Sequence, residues 1–219
     1  AQLMAAHGTP TIAITESLGV AEPQALERVI GTSDLMGVAF LERGLQVSQT
    51  VGRVWVDVAA GRPRGYGTGF LVSPHLLLTN HHVLETAAVA ANSAVQFNYQ
   101  LGLDGQECPP AYFRLRPDLF FMNSEPLDYA LVCVAPASDQ GGRALGEFGF
   151  NPIFPEEGKA IEAQWLNIIQ HPGGGFKQLA FRENRLVDVF DAFLVYDTDT
   201  AQGSSGSPVY NDRWEVVGL

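Results

Sequence analysis

The stretch GTGFLVSPHLLLTNHHVL, Gly67 to Leu84, decides how the rest of the chain is read. Two apolar runs flank a Ser-Pro turn, the pattern of an antiparallel hairpin, and the second run ends in the paired histidines His81 and His82. Neighbouring side chains on a strand point to opposite faces, so the pair is poorly placed to hold one metal ion, and no metal site is expected.

Working outward, the same texture continues on both sides. VGRVWVDVA precedes the hairpin, and AVQFNYQL, AYFRLRP and DYALVCVA follow it, all short β-rich runs separated by Gly, Pro and Asn-Asp turns. After the Gly/Pro-rich bridge GGRALGEFGFNPIFPEEG comes a second group: WLNIIQHP, KQLAFRENRLVDV, AFLVYDTD, SPVYN and WEVVGL. Two groups of about six short strands predict an all-β chain of two antiparallel barrels, one over residues 51–140 and one over 141–219. Residues 1–50 are expected to form an extension with two helices. One would begin near Pro23 and run through QALERVI; the other would start at a Ser33 or Asp34 N-cap and present Leu35, Val38, Ala39, Leu41, Leu45 and Val47 at helical spacing.

Composition removes several classes of function. A formal net charge of −11 repels a phosphate backbone, which argues against nucleic-acid binding. No segment has the roughly 18 consecutive apolar residues of a membrane span, and the first residues lack the basic and apolar regions of a signal peptide, so a cytoplasmic location is expected. The two cysteines, Cys108 and Cys133, are too few for a disulfide-stapled scaffold. They read as free thiols, with a single bridge still open.

The segment GSSGSP, Gly203 to Pro208, sets Ser205 in a tight glycine-bounded loop. Serine attacks a carbonyl only with a positioned base and with donors for the developing oxyanion. The backbone N–H groups of Gly203 and Ser205 are the candidate donors.

With these residues in view, the chain resembles the chymotrypsin-like serine proteases, especially their bacterial HtrA-like and glutamyl endopeptidase branches. In those proteins a GTGF-type strand leads into Thr-Asn-x-His-Val, which places the catalytic base on His82. LDYALVCV, Leu127 to Val134, resembles the Asp-hydrophobic-Ala-Leu motif that carries the triad acid, which falls on Asp128. NIIQHPGG and SPVYNDRWEVVGL resemble second-barrel segments, so the likeness runs from about Val51 to Leu219. It implies a serine endopeptidase acting on a protein or peptide through an acyl-enzyme on Ser205, without metal or cofactor.

The resemblance also implies finer features. Digestive members carry an Asp before the nucleophile that pairs with a newly cleaved N-terminus; Ser204 stands there, so that switch is expected to be absent. The residue six before the nucleophile, Asp199 with its neighbour Thr200, falls at the floor of the specificity pocket and would select Arg or Lys, while Asp197 reads as structural. GSSGSP resembles the glutamyl endopeptidase motif, which leaves cleavage after Glu as the alternative. In the family the WEVVGL strand continues into a substrate-binding wall and a final strand, so the second barrel is expected to be incomplete, with an open edge. A pseudoprotease or interaction module completed by a further segment or partner is therefore the rival expectation. LERGL-type helices before the barrel resemble trypsin-like peptidase domains of bacterial effector and antiviral defence systems, which implies a fused or associated effector domain.

Overall fold

The computed structural model describes residues 36–59, 61–139, 141–154, 164–181, 184–190, 194–197 and 203–219. The expected first helix, the Ser33 and Asp34 caps, and the pair Asp199 and Thr200 lie outside the described residues.

The extension helix is α1, Ala39–Gln49, preceded by Val38, which caps it with no side-chain hydrogen bond. Its packing face differs from the expected stripe. Leu41 and Leu45 are exposed, whereas Phe40, Gly44 and Val47 face inward. The reason is Trp214: a Cβ on Gly44 would lie 2.5 Å from its indole Cζ2, so only glycine admits the ring. The indole N–H donates to the Phe40 carbonyl at 2.8 Å, and the two rings meet at 4.8 Å between centroids.

Seven strands follow: β1 Val51–Ala59, β2 Arg62–Leu71, β3 Leu76–Thr79, β4 Ala94–Phe97, β5 Ala111–Arg114, β6 Phe121–Ser124 and β7 Tyr129–Cys133. The short helix α2, Ala87–Ala91, precedes β4, its first turn capped by the Thr86 hydroxyl, which accepts from the Val89 N–H. All pairings are antiparallel, in the order β5-β4-β1-β2-β3-β7-β6. Beyond their paired ends β5 and β7 meet through the Leu115–Val134 bridge and the bond from the Arg116 N–H to the Cys133 carbonyl, closing the barrel. The seventh strand, β6, lies along β7 outside that ring. Inside sit Val54, Leu71, Leu77, Val95, Phe97, Phe113 and Val132, alternating with outward residues as the strand period requires. Each such side chain contributes roughly 1.5–3 kcal/mol by leaving water.

The second half contains β8 Asn167–Gln170, β9 Gln178–Ala180, β10 Arg185–Val189, β11 Leu194–Asp197, β12 Val209–Tyr210 and β13 Val216–Gly218. Four form a sheet in the order β13-β12-β8-β9, and β10 with β11 makes a bulged hairpin. The segment KQLAFRENRLVDV, expected as one strand, divides into β9 and β10. Leu166, Ile168, Leu186 and Val209 form this half's core. A separate buried cluster of Val51, Phe70, Ile169, Tyr210 and Trp214 joins the two halves. Beside it the Asn151 amide donates to the Thr50 hydroxyl at 2.8 Å and to the Tyr210 hydroxyl at 2.6 Å.

Candidate active site

His82 lies just past the end of β3, and Asp128 just before β7. These strands are neighbours, pairing Thr79 with Ala130, so their adjoining ends bring the two residues together. Asp128 adopts φ +47°, a left-handed conformation that Asp tolerates better than most side chains. It is held there from both sides: its N–H donates to the Glu125 carbonyl at 3.1 Å, and its carbonyl accepts from the Asn80 amide at 2.8 Å. The carboxylate then meets His82 twice. It accepts from the His82 backbone N–H at 3.1 Å and lies 2.8 Å (Oδ2) and 3.1 Å (Oδ1) from ring Nδ1. An ionised carboxylate only accepts, so Nδ1 carries the proton and Nε2 keeps its lone pair. His81 is turned away, its Nδ1 accepting from the Asn123 amide at 3.0 Å.

Ser205 sits in a loop shaped by two glycines, Gly203 at φ +92° and Gly206 at φ +87°. At Gly206 a Cβ would stand 2.0 Å from the Thr68 carbonyl oxygen, so no side chain fits. Thr68, on β2, clamps the loop across the junction of the two halves. Its N–H donates to the Ser205 carbonyl and its hydroxyl to the Gly203 carbonyl, each at 2.8 Å, while that hydroxyl accepts from the His171 N–H at 3.1 Å. Ser204 is buried, and its hydroxyl has no partner among the described residues.

His82, Ser205 and Gly203 line one cleft of about 460 Å³, together with Arg64, Tyr66 and Gly174. The expected base, the expected nucleophile and both residues expected to supply oxyanion donors thus share a single space. A cavity of about 440 Å³ between α1 and residues 146–154 contains none of them. Among the described residues no group of His, Cys, Asp or Glu has the arrangement of a metal site.

Three residues that sequence reasoning did not single out support the cleft. Arg53 is buried without a carboxylate partner among the described residues. Its guanidinium donates to Gln96 Oε1 and to the Gly174 carbonyl and lies over the rings of Trp55 (5.3 Å), Tyr66 (4.9 Å) and Tyr99 (3.5 Å). His171 is fully buried, with Nδ1–H donating to the Gly175 carbonyl at 2.9 Å. Burial first, then the Lys177 and Arg53 charges, pulls its pKa down to about 3 against the hydrogen bond that supports it. Thr68 is the third, and its only signal was its place in the GTGF run.

A two-barrel fold that sets an Asp-oriented histidine and a loop serine on one cleft defines the chymotrypsin-like serine peptidase class. The model of the trypsin-like peptidase domain family matches residues 67–219, and the chain belongs to that family. It is 40% identical over 202 residues to the uncharacterized protein y4fB of Sinorhizobium fredii, covering 88% of this chain and 30% of that protein. The chain therefore spans less than a third of that relative's length. Among solved structures it is similar to the serine endoprotease from Yersinia pestis, with TM-score 0.57 and 17% identity over 87% of this chain and 58% of that one. It is also similar to the inactive form of the Rv3671c protease, with TM-score 0.52 and 19% identity over 87% and 86% of the two chains. At such identities the likeness is one of fold.

Proposed function

We propose that this chain is a serine endopeptidase that hydrolyses peptide bonds of a protein or peptide substrate, with Ser205 as nucleophile, His82 as base and Asp128 as its orienting acid. The observation that carries the reading is the His82 Nδ1–Asp128 contact of 2.8 Å on a cleft that Ser205 also lines. Asp128 holds the tautomer in which Nε2 can accept a proton and stabilises the imidazolium that results. Ser205 Oγ attacks the scissile carbonyl carbon while its proton passes to His82 Nε2. The carbonyl π pair moves to oxygen, where the Gly203 and Ser205 N–H groups receive it. Collapse expels the amine, which takes the proton from His82, and leaves an ester on Ser205. Water, deprotonated by the same imidazole, releases the acid half and restores the hydroxyl.

The register of the chain supports Asp199, with Thr200, as the floor of the primary specificity pocket, so cleavage after Arg or Lys is the first expectation and cleavage after Glu the second. A fluorophosphonate probe tests the mechanism. Wild type should form a Ser205 adduct and hydrolyse peptides; Ser205→Ala should do neither. Asp128→Asn should lower kcat by about 10⁴ and His82→Ala by about 10⁶, whereas His81→Ala should stay within about threefold. Equal loss from His81→Ala and His82→Ala would remove the assignment. A positional peptide library reads the preference for the residue before the bond.

A further inference from the structure

The cleft beside Ser205 carries an unusual charge balance for a chain with a formal net charge of −11. Its described lining includes Arg64, an exposed cation on β2 that makes no ion pair among the described residues, and no carboxylate side chain among those residues. Asp128 lies on the far side of the His82 ring, engaged by it. A second positive charge stands behind the wall. Arg53 is buried with only neutral acceptors among the described residues, the Gln96 side chain and the Gly174 carbonyl, and its guanidinium carbon sits 4.9 Å from the centre of the Tyr66 ring. Tyr66 and Gly174 both line the cleft, so this charge lies one ring and one peptide group from whatever occupies it. A buried charge is screened much less by salt than an exposed one.

The half of the substrate that enters this space follows from the chemistry. His82 must hand its proton to the departing amine, so that amine lies on the imidazole side of Ser205. The described walls beyond His82 are Val56, Gly65 and Tyr66 of the first barrel. None belongs to the segments around Asp199 or Val216, where the acyl half would be read.

We infer that Arg64, backed by the buried Arg53, makes this cleft a subsite for an acidic side chain within the first two residues after the scissile bond. The inference rests on the endopeptidase reading above and adds substrate selectivity on the leaving side. Arg64 offers a planar, two-pronged donor to a carboxylate, and the rigid cage fixes Arg53 so that its field needs no rearrangement. Because one partner is exposed, the preference is moderate: about three- to tenfold for Glu over Lys in kcat/KM at low ionic strength.

The test uses peptides with a constant acyl half and Glu, Gln or Lys at each of the first three positions after the bond, and reads the Glu-to-Lys ratio within each enzyme, so that any general loss in a variant cancels. Wild type should favour Glu at the first or second position, the ratio should shrink as ionic strength rises from roughly 0.01 to 1 M, and Arg64→Glu should invert it. A second measurement needs no turnover: binding of the amine-half peptides to Ser205→Ala should show the same order. Ratios within twofold at every position in both assays, or a preference that Arg64→Glu leaves intact, would overturn the inference. Cleavage without discrimination removes this subsite alone, whereas absence of both cleavage and Ser205 labelling removes the endopeptidase reading, with peptide binding still deciding the subsite.

Discussion

Acid should destabilise this domain through His171, and the substitution His171→Gln should remove that part of the pH dependence. The ring is fully buried; Nδ1–H is engaged by the Gly175 carbonyl, and Nε2 has no partner among the described residues. A proton added at Nε2 would be a buried charge with no acceptor, near the cations Lys177 and Arg53, which is why the pKa falls from 6.5 to about 3. The sign follows from linkage. Between pH 6.5 and about 3 the unfolded chain binds a proton that the folded chain refuses. The stability is therefore present above pH 6.5 and is lost as pH falls, at about 1.4 kcal/mol per pH unit. Across the whole interval the loss reaches about 5 kcal/mol, comparable with the full stability of many domains. Urea unfolding of wild type and His171→Gln at several pH values between 4.5 and 7.5 measures it. Carboxylates common to both proteins cancel in the difference, and Gln carries no titrating nitrogen, so the loss of the Nδ1–H bond to Gly175 enters only as a pH-independent offset. The wild-type stability curve should fall more steeply below pH 6.5, by about 1.4 kcal/mol per unit. Parallel curves would refute the reasoning, whatever their vertical offset.

Two further substitutions probe the packing that holds the site. Gly44→Val should destabilise by about 1–3 kcal/mol, because its Cβ would meet the Trp214 indole at 2.5 Å and α1 must shift; a lower Tm in a thermal melt is the readout, and an unchanged Tm would mean that α1 does not pack there. Asn151→Ala strips donors from the buried Thr50 and Tyr210 hydroxyls. A loss of about 1–3 kcal/mol in urea unfolding is expected, and less than about 0.5 kcal/mol would show that the knot contributes little.

How far the sequence could be read depended on where the determining contact lies. The barrel strands were legible because their cores are made of Val, Leu and Phe at period two, bounded by Gly and Pro. β6 escaped because Phe121–Ser124 mixes apolar and polar residues beside turns and owes its place to pairing with β7. The face of α1 was misjudged because counting large apolar residues passes over a glycine, and Gly44 is where the tightest contact falls. His82, Asp128 and Ser205 stood out through local motifs, and the structure brings the first two into contact and places His82 and Ser205 on one cleft. Arg53 carried no such mark, and Thr68 and His171 lay inside the GTGF and NIIQHPGG runs without either run giving them a role. The Arg53 bond to Gly174 spans 121 residues, and that of Thr68 to Gly203 spans 135. Nothing in either local sequence names its partner.

Those long-range contacts bear on the proposed catalysis because His82 and Ser205 belong to different barrels. Their separation is a property of the junction, and neither barrel alone can set it. Thr68 fastens the Ser205 loop to β2, which ends at the turn before the His82 strand. Arg53 fastens the Gly174 loop against Tyr66, and a Cβ on Gly203 would lie 2.6 Å from the Gly174 nitrogen, so that loop in turn backs the Ser205 turn. A misplacement of about 1 Å between reacting groups can cost 10²-fold in rate. A buried guanidinium with no counter-ion among the described residues is an expensive way to join two loops, and aromatic faces and carbonyls offset only part of its desolvation. Its position is consistent with a charge retained for the cleft it backs, where rigidity and a positive field are both useful.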